Sequence, residues 1–197
     1  MSSHRIGAIG LLAGLAALAL AAAPAPPAPR SRAFAPGFVE TVVAESLDSP
    51  VSMAIAPDGR VFVCEQGGAL RVIRGGRLLP APFWTAPTRA FMEEGLLGVA
   101  FDPDFARNRF VYVCYTALEP ARHQRIARLT ASGDAAVRGS EVTLLDLDPN
   151  LEYHHVGGGL RFGRDGMLYA GTGENGHGDL SQSLRSTTPF AQRTPTS

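Results

Sequence analysis

Residues 155–176 read HVGGGLRFGRDGMLYAGTGENG, and they hold a histidine and a carboxylate that could act together. The segment has the form of one hairpin, with an alternating strand, a turn at Arg164-Asp165-Gly166 and a second strand. Pairing outward from Gly163 and Met167 brings residue 156 opposite Glu174, so His155 and Glu174 share the open end. A carboxylate beside an imidazole fixes its tautomer and stabilises the cation formed when a proton is taken, which is general-base chemistry. The glycines at 157–159 allow a flat ligand to approach closely. Spacing alone leaves two roles open for His155, a general base or a satisfied structural histidine at a strand end. Glu65, Glu93 and Glu94 fall at the corresponding end of two similar hairpins. His154 reads as an orienting or surface neighbour. His123, in an Arg-rich stretch, reads as exposed and inert.

Other chemistries find little support. GENGHGD (173–179) is rich in oxygen donors but lacks the ordered spacing of a calcium loop. The Gly pairs at 67–68 and 75–76 read as hairpin turns, because no helix follows them to cradle a phosphate. The sequence contains no GxSxG, no P-loop and no metal-type Cys/His spacing, so no metal ligand is assigned. Cys64 and Cys114 sit in the matching apolar strands VFVC and VYVC and are expected to be buried free thiols.

The elements that would hold these residues repeat. SPVSMAIAPDGRVFVCEQGGALRVI (49–73), EGLLGVAFDPDFARNRFVYVCYT (94–116) and the segment around Asp165 each pair two apolar strands across an Asp-bearing turn. The turn aspartates recur at intervals on the order of 50 residues, the period of a propeller blade built from strands without helices. QRIARLTA and EVTLLDLD, within 117–153, read as the outer strands of the second blade. The expected fold is all-β, of the six-bladed propeller type, with about the first three blades present in residues 37–183.

Composition sets the outer limits. Eighteen basic residues, all of them Arg, balance 18 acidic ones, and no basic run marks a nucleic-acid surface. The 22 Gly and 15 Pro of 197 residues exclude a helix bundle. The first 23 residues, MSSHRIGAIGLLAGLAALALAAA, have the layout of a secretory signal ending in small residues before Pro24. The competing membrane anchor is disfavoured by the weak hydrophobicity of so much Ala and Gly, so no stable membrane span is expected. Residues 24–36 form a Pro/Ala-rich linker, and an exported product, periplasmic or extracellular, is the expectation. Residues 184–197 lose the alternation and read as a disordered or aberrant tail, as though the chain were the front portion of a longer protein. Such a portion would expose a sheet edge and part of its core.

Three strings taken together, SMAIAPDGRVFVCEQGGALRVI (52–73), EGLLGVAFDPDF (94–105) and HHVGGGLRFGRDGMLYAGTGENG (154–176), resemble the glucose/sorbosone dehydrogenase family. The similarity runs from about Gly37 to Leu184. It implies a secreted or periplasmic aldose sugar dehydrogenase that uses pyrroloquinoline quinone (PQQ) and calcium on a six-bladed propeller. By that resemblance His155 matches the catalytic base and Glu174 the acidic residue supporting it. Glu93 and His154 match positions near the cofactor, although the family commonly has Gln and Asp or Asn there. The implied reaction removes a proton from an aldose's anomeric hydroxyl while hydride passes to the quinone, giving the lactone and leaving electrons for an acceptor. The family's basic cofactor ligands and calcium ligands lie mainly on later blades, and SLRSTTPF stands where a GKILRI-like strand is expected. The chain itself is therefore expected to be inactive. Two alternatives stay open beside the enzyme lineage. One is a non-catalytic secreted propeller that binds a ligand or protein partner. The other is a metal-dependent lactone hydrolase propeller, which the motif string fits poorly.

Overall fold

The computed structural model describes residues 35–150 and 152–174. The expected signal segment and the tail at 184–197 lie outside the described residues, as does the linker apart from Ala35 and Pro36. Residues 35–40 belong to a separate unit, exposed, with one turn closed by Phe38 N–H on the Ala35 carbonyl.

The second unit, from Thr41 on, is built of antiparallel meanders. The first sheet runs β1 (Pro50–Ile55), β2 (Val61–Glu65), β3 (Ala69–Arg74) and β4 (Arg77–Leu78), with the short β5 (Trp84–Thr85) also on β3. Its turns fall where the sequence places them, at Pro57-Asp58-Gly59, Gln66-Gly67-Gly68 and Gly75-Gly76. The second sheet is ordered β10-β8-β7-β6, from β6 (Leu96–Phe101), β7 (Phe110–Ala117), β8 (His123–Ser132) and β10 (Val142–Pro149), with β9 (Ala135–Ala136) on β8. The two outer strands expected in 117–153 are therefore β8 and β10. The third sheet is the hairpin β11 (Gly159–Phe162) and β12 (Leu168–Gly171), and its Phe162–Leu168 to Gly159–Gly171 pairing has the register expected from the turn.

One element departs from the all-strand expectation. The β6–β7 turn contains a four-residue helix, α1 (Phe105–Asn108). Asp102 Oδ1 accepts the Asp104 N–H at 2.9 Å and starts the turn, and Arg109, left-handed at φ 62°, ends it. The helical turn lets Phe105 bury fully and meet Phe101 edge-on at 5.0 Å.

The core lies between the first two sheets. Phe62 of β2 is fully buried and meets Phe83 at 5.0 Å and Phe101 at 4.9 Å, both edge-to-face. Leu70, Val72, Leu96, Val111, Val113 and Leu129 fill the space around them. Arg60 staples the two sheets at the turn end: it holds Asp58 at 2.7 Å and the Gly133 carbonyl at 2.6 Å, with its own side chain 91% covered. The far face of β1 is different, since Val51, Met53 and Ile55 are exposed there.

His123 is a correction to the sequence reading. It opens β8 opposite Ala117, and pairing to the sheet buries it. Its Nδ1 lies 2.6 Å from the Ala121 carbonyl and its Nε2 lies 3.1 Å from Asp146, which Arg125 also grips. The Arg-rich stretch is thus neutralised by a neighbouring strand instead of by solvent.

Cys64 and Cys114 are both free and buried, and burial pushes both thiols up to about 12. Two outcomes are expected. A thiol reagent at pH 8 will label neither cysteine in the native chain and both after unfolding. Phe62→Ala will cost about 3–5 kcal/mol in denaturant-unfolding measurements, by opening a cavity between two sheets.

Candidate functional site

His155 sits between β10 and β11, in a segment that must turn from one sheet to the next. The third hairpin reaches β6 by a backbone contact: a Cβ on Gly98 would strike the Gly158 carbonyl, and one on Gly158 would strike Leu97. Only glycine permits that approach. A second close contact brings in the acid, because a Cβ on Gly173 would collide with the His155 carbonyl. Glu174 follows directly and swings in beside the imidazole.

Three of the candidate groups meet here. His155 Nδ1 is hydrogen-bonded to Glu174 Oε1. The His155 backbone N–H donates to Glu93 Oε2 at 2.5 Å, and Glu93 N–H donates to the Tyr153 carbonyl at 3.2 Å. His155 itself is left-handed, at φ 53°, a conformation a non-glycine residue holds only when its surroundings impose it. Its side chain is 59% exposed while that of Glu174 is only 12% exposed. With Nδ1 protonated toward Glu174, Nε2 carries the lone pair on the open side of the ring.

The hydrogen bond to Glu174, with its negative charge and that of Glu93, holds the His155 pKa above the ordinary histidine value. The imidazolium is therefore favoured to higher pH than in a free histidine. Any stability this gives is present below the unfolded-state pKa and is lost as pH rises through the folded one.

The remaining carboxylates do not face the open end as spacing had placed them. Glu65 is buried, accepting the Asp48 N–H at 2.9 Å and pairing with Arg71 at 3.2 Å. Glu94 is completely buried and paired with Arg122. A strand end turned inward, rather than the hairpin register, decides which carboxylate of a Glu-Glu pair meets solvent. His154 is exposed beside the base. Sequence reasoning missed Arg122, Asn150 and Tyr153, which lie behind the site. Arg122 was masked by its Arg-rich neighbours, and the other two fall where the strand alternation stops. Among the described residues no cluster of His, Cys, Asp and Glu could hold a metal ion, and no helix is long and apolar enough to cross a membrane.

Residues 47–189 match the family described as glucose/sorbosone dehydrogenase. The chain belongs to this family. A PQQ-bound aldose sugar dehydrogenase from Streptomyces coelicolor is 33% identical, with a TM-score of 0.64 over 76% of this chain and 45% of that one. The aldose sugar dehydrogenase of Escherichia coli is 30% identical over 156 residues, covering 76% of this chain and 42% of that protein. Mouse Hedgehog-interacting protein is 32% identical over 147 residues, covering 64% of this chain and 21% of its own length. This family member thus spans less than half the length of each of these relatives. Its antiparallel sheets correspond to part of the dehydrogenase propeller.

Glu174→Gln removes the charge and keeps the size. It is expected to lower the midpoint at which the His155 ring protons titrate by NMR, because the Glu174 hydrogen bond and charge are what raise it.

Proposed function

We propose that this chain carries the proton-accepting part of a quinone-dependent aldose sugar dehydrogenase. In this reading His155 Nε2 takes the proton from the anomeric hydroxyl of an aldose as that carbon is oxidised toward the lactone. The observation that supports it most directly is the His155–Glu174 hydrogen bond on an open imidazole. Glu174 fixes the tautomer that leaves Nε2 basic and stabilises the imidazolium after transfer. Glu93 holds the His155 backbone, so the ring is presented at a set angle. By the family resemblance, His154 and Glu93 would stand near a cofactor. Export, expected from the leader, puts this chemistry in the periplasm or outside the cell.

The residues present do not fit a grip on PQQ. The quinone is an anion with several carboxylates, and the groups around His155 are the carboxylates Glu93 and Glu174. The Arg122 guanidinium, behind Tyr153, is already paired with the buried Glu94. No step is therefore assigned to the cofactor in this chain, and tight binding of it is not expected here.

The chain is also similar to mouse Hedgehog-interacting protein, named for binding rather than catalysis, which supports a second reading as a non-catalytic binding propeller. The His155–Glu174 pair favours the enzyme. A chimera decides between them: residues 47–174 of this chain replace the matching part of the Escherichia coli aldose sugar dehydrogenase, and aldose-dependent dye reduction is assayed with added PQQ and calcium. Turnover is expected, with His155→Gln reducing kcat by about 10²–10⁴. A folded, cofactor-loaded chimera that turns over no aldose would favour the binding propeller.

A further inference from the structure

Behind the open imidazole lies a polar cluster that the proton transfer does not use. Glu94 is completely buried, with Oε1 engaged by the Arg122 guanidinium and by Asn150 Nδ2 at 3.2 Å. Its Oε2 has no hydrogen-bond partner among the described residues. A charge buried this way is expensive, and a well-packed apolar pair of the same volume would often serve stability equally well. Stability alone does not account for it.

Geometry does. Asn150 opens the segment that carries His155, and its backbone N–H donates to the Arg122 carbonyl at 2.6 Å. The Arg122 guanidinium then lies 3.9 Å from the centre of the Tyr153 ring, a cation–π contact. Tyr153 packs edge-on against Phe91 at 4.7 Å, and its carbonyl accepts the Glu93 N–H. Glu94 is bonded covalently to Glu93, whose carboxylate takes the His155 N–H. The buried pair thus touches the segment at Asn150 and Tyr153, on the approach to the left-handed His155.

We propose that the Glu94–Arg122 pair, acting through Asn150 and Tyr153, is the positioning element for His155. It rests on the reading of His155 as the base, and it makes Glu94, Arg122 and Asn150 positioning residues, since none of them touches the reacting atoms. The pair sets the path of residues 150–155, and so the distance at which the imidazole meets Glu174. Among the described residues, the charged groups that act on the ring are Glu174 first and then Glu93.

The test reads the ring itself. The double variant Glu94→Leu/Arg122→Met keeps the volume and leaves no orphan charge. It is expected to retain native far-UV dichroism, yet to lower the His155 NMR titration midpoint by more than half of the drop that Glu174→Gln produces. Asn150→Ala, which removes one hydrogen bond from Glu94 and keeps the Glu94–Arg122 ion pair, is expected to lose a smaller share, and it carries the test if the double variant does not fold. Glu94→Gln, able to accept from both partners, is expected to restore the wild-type midpoint. If the folded double variant and Asn150→Ala both titrate as wild type, the positioning role is overturned while the base reading stands. If Glu174→Gln itself leaves the midpoint unchanged, the His155–Glu174 reading fails, and this inference fails with it.

Discussion

The contact between Gly98 of β6 and Gly158 of the third hairpin is the constraint on which the site depends. Two backbones approach there so closely that a single methyl group on either would drive them apart. Because β6 also lies against β1 and β2, this contact ties the hairpin to the packed core of the first two sheets. The chain entering at Gly158 must come from Asn150 in a few residues, and it does so through the left-handed His155. The exposed imidazole is held by a short path between two fixed points, not by its own burial.

Electrostatics then sorts the carboxylates into two kinds. Glu65 and Glu94 are buried and matched with Arg71 and Arg122, in contacts that brace loops. Glu93, exposed, and Glu174, mostly covered, meet one histidine, by its backbone and by its ring. The first kind needs a permanent cation, because an unmatched buried charge costs several kcal/mol on the order given for broken pairs. The second kind meets a group whose charge changes with a proton, which is what a base requires. At the opposite end of the sheets, Arg60 with Asp58 and Asp134 repeats the first arrangement and fixes the core without any titrating partner.

Family membership agrees with this division of labour. The chain spans less than half the length of the dehydrogenases it matches, and the part it spans contains the histidine–acid pair. Among the described residues the side chains bonded to that histidine are the carboxylates Glu93 and Glu174. The exposed apolar face of β1 belongs to the same picture: Val51, Met53 and Ile55 lie on a strand that occupies in the first sheet the place β6 holds in the second, where Val99 is buried.

Much of the fold was legible in the residues. Alternation with Asp and Gly turns determined the main strands of all three sheets, the two-residue β5 and β9 aside, and the Arg164-Asp165-Gly166 turn determined the register that puts His155 and Glu174 at one end, because hairpin pairing is local and counts outward from its turn. The four-residue helix at Phe105 escaped this reading, since it exists to bury one ring against Phe101 in the core. So did the burial of His123, which depends on Asp146 arriving from β10. Which of Glu93 and Glu94 turns to solvent was equally hidden, because adjacent residues are distinguished only by what packs on each side. Sequence alone determined the hairpins and the meeting of His155 with Glu174; the tertiary structure decided which charges are buried, and with which partners. Those pairings join residues far apart in the chain, where no local periodicity reaches.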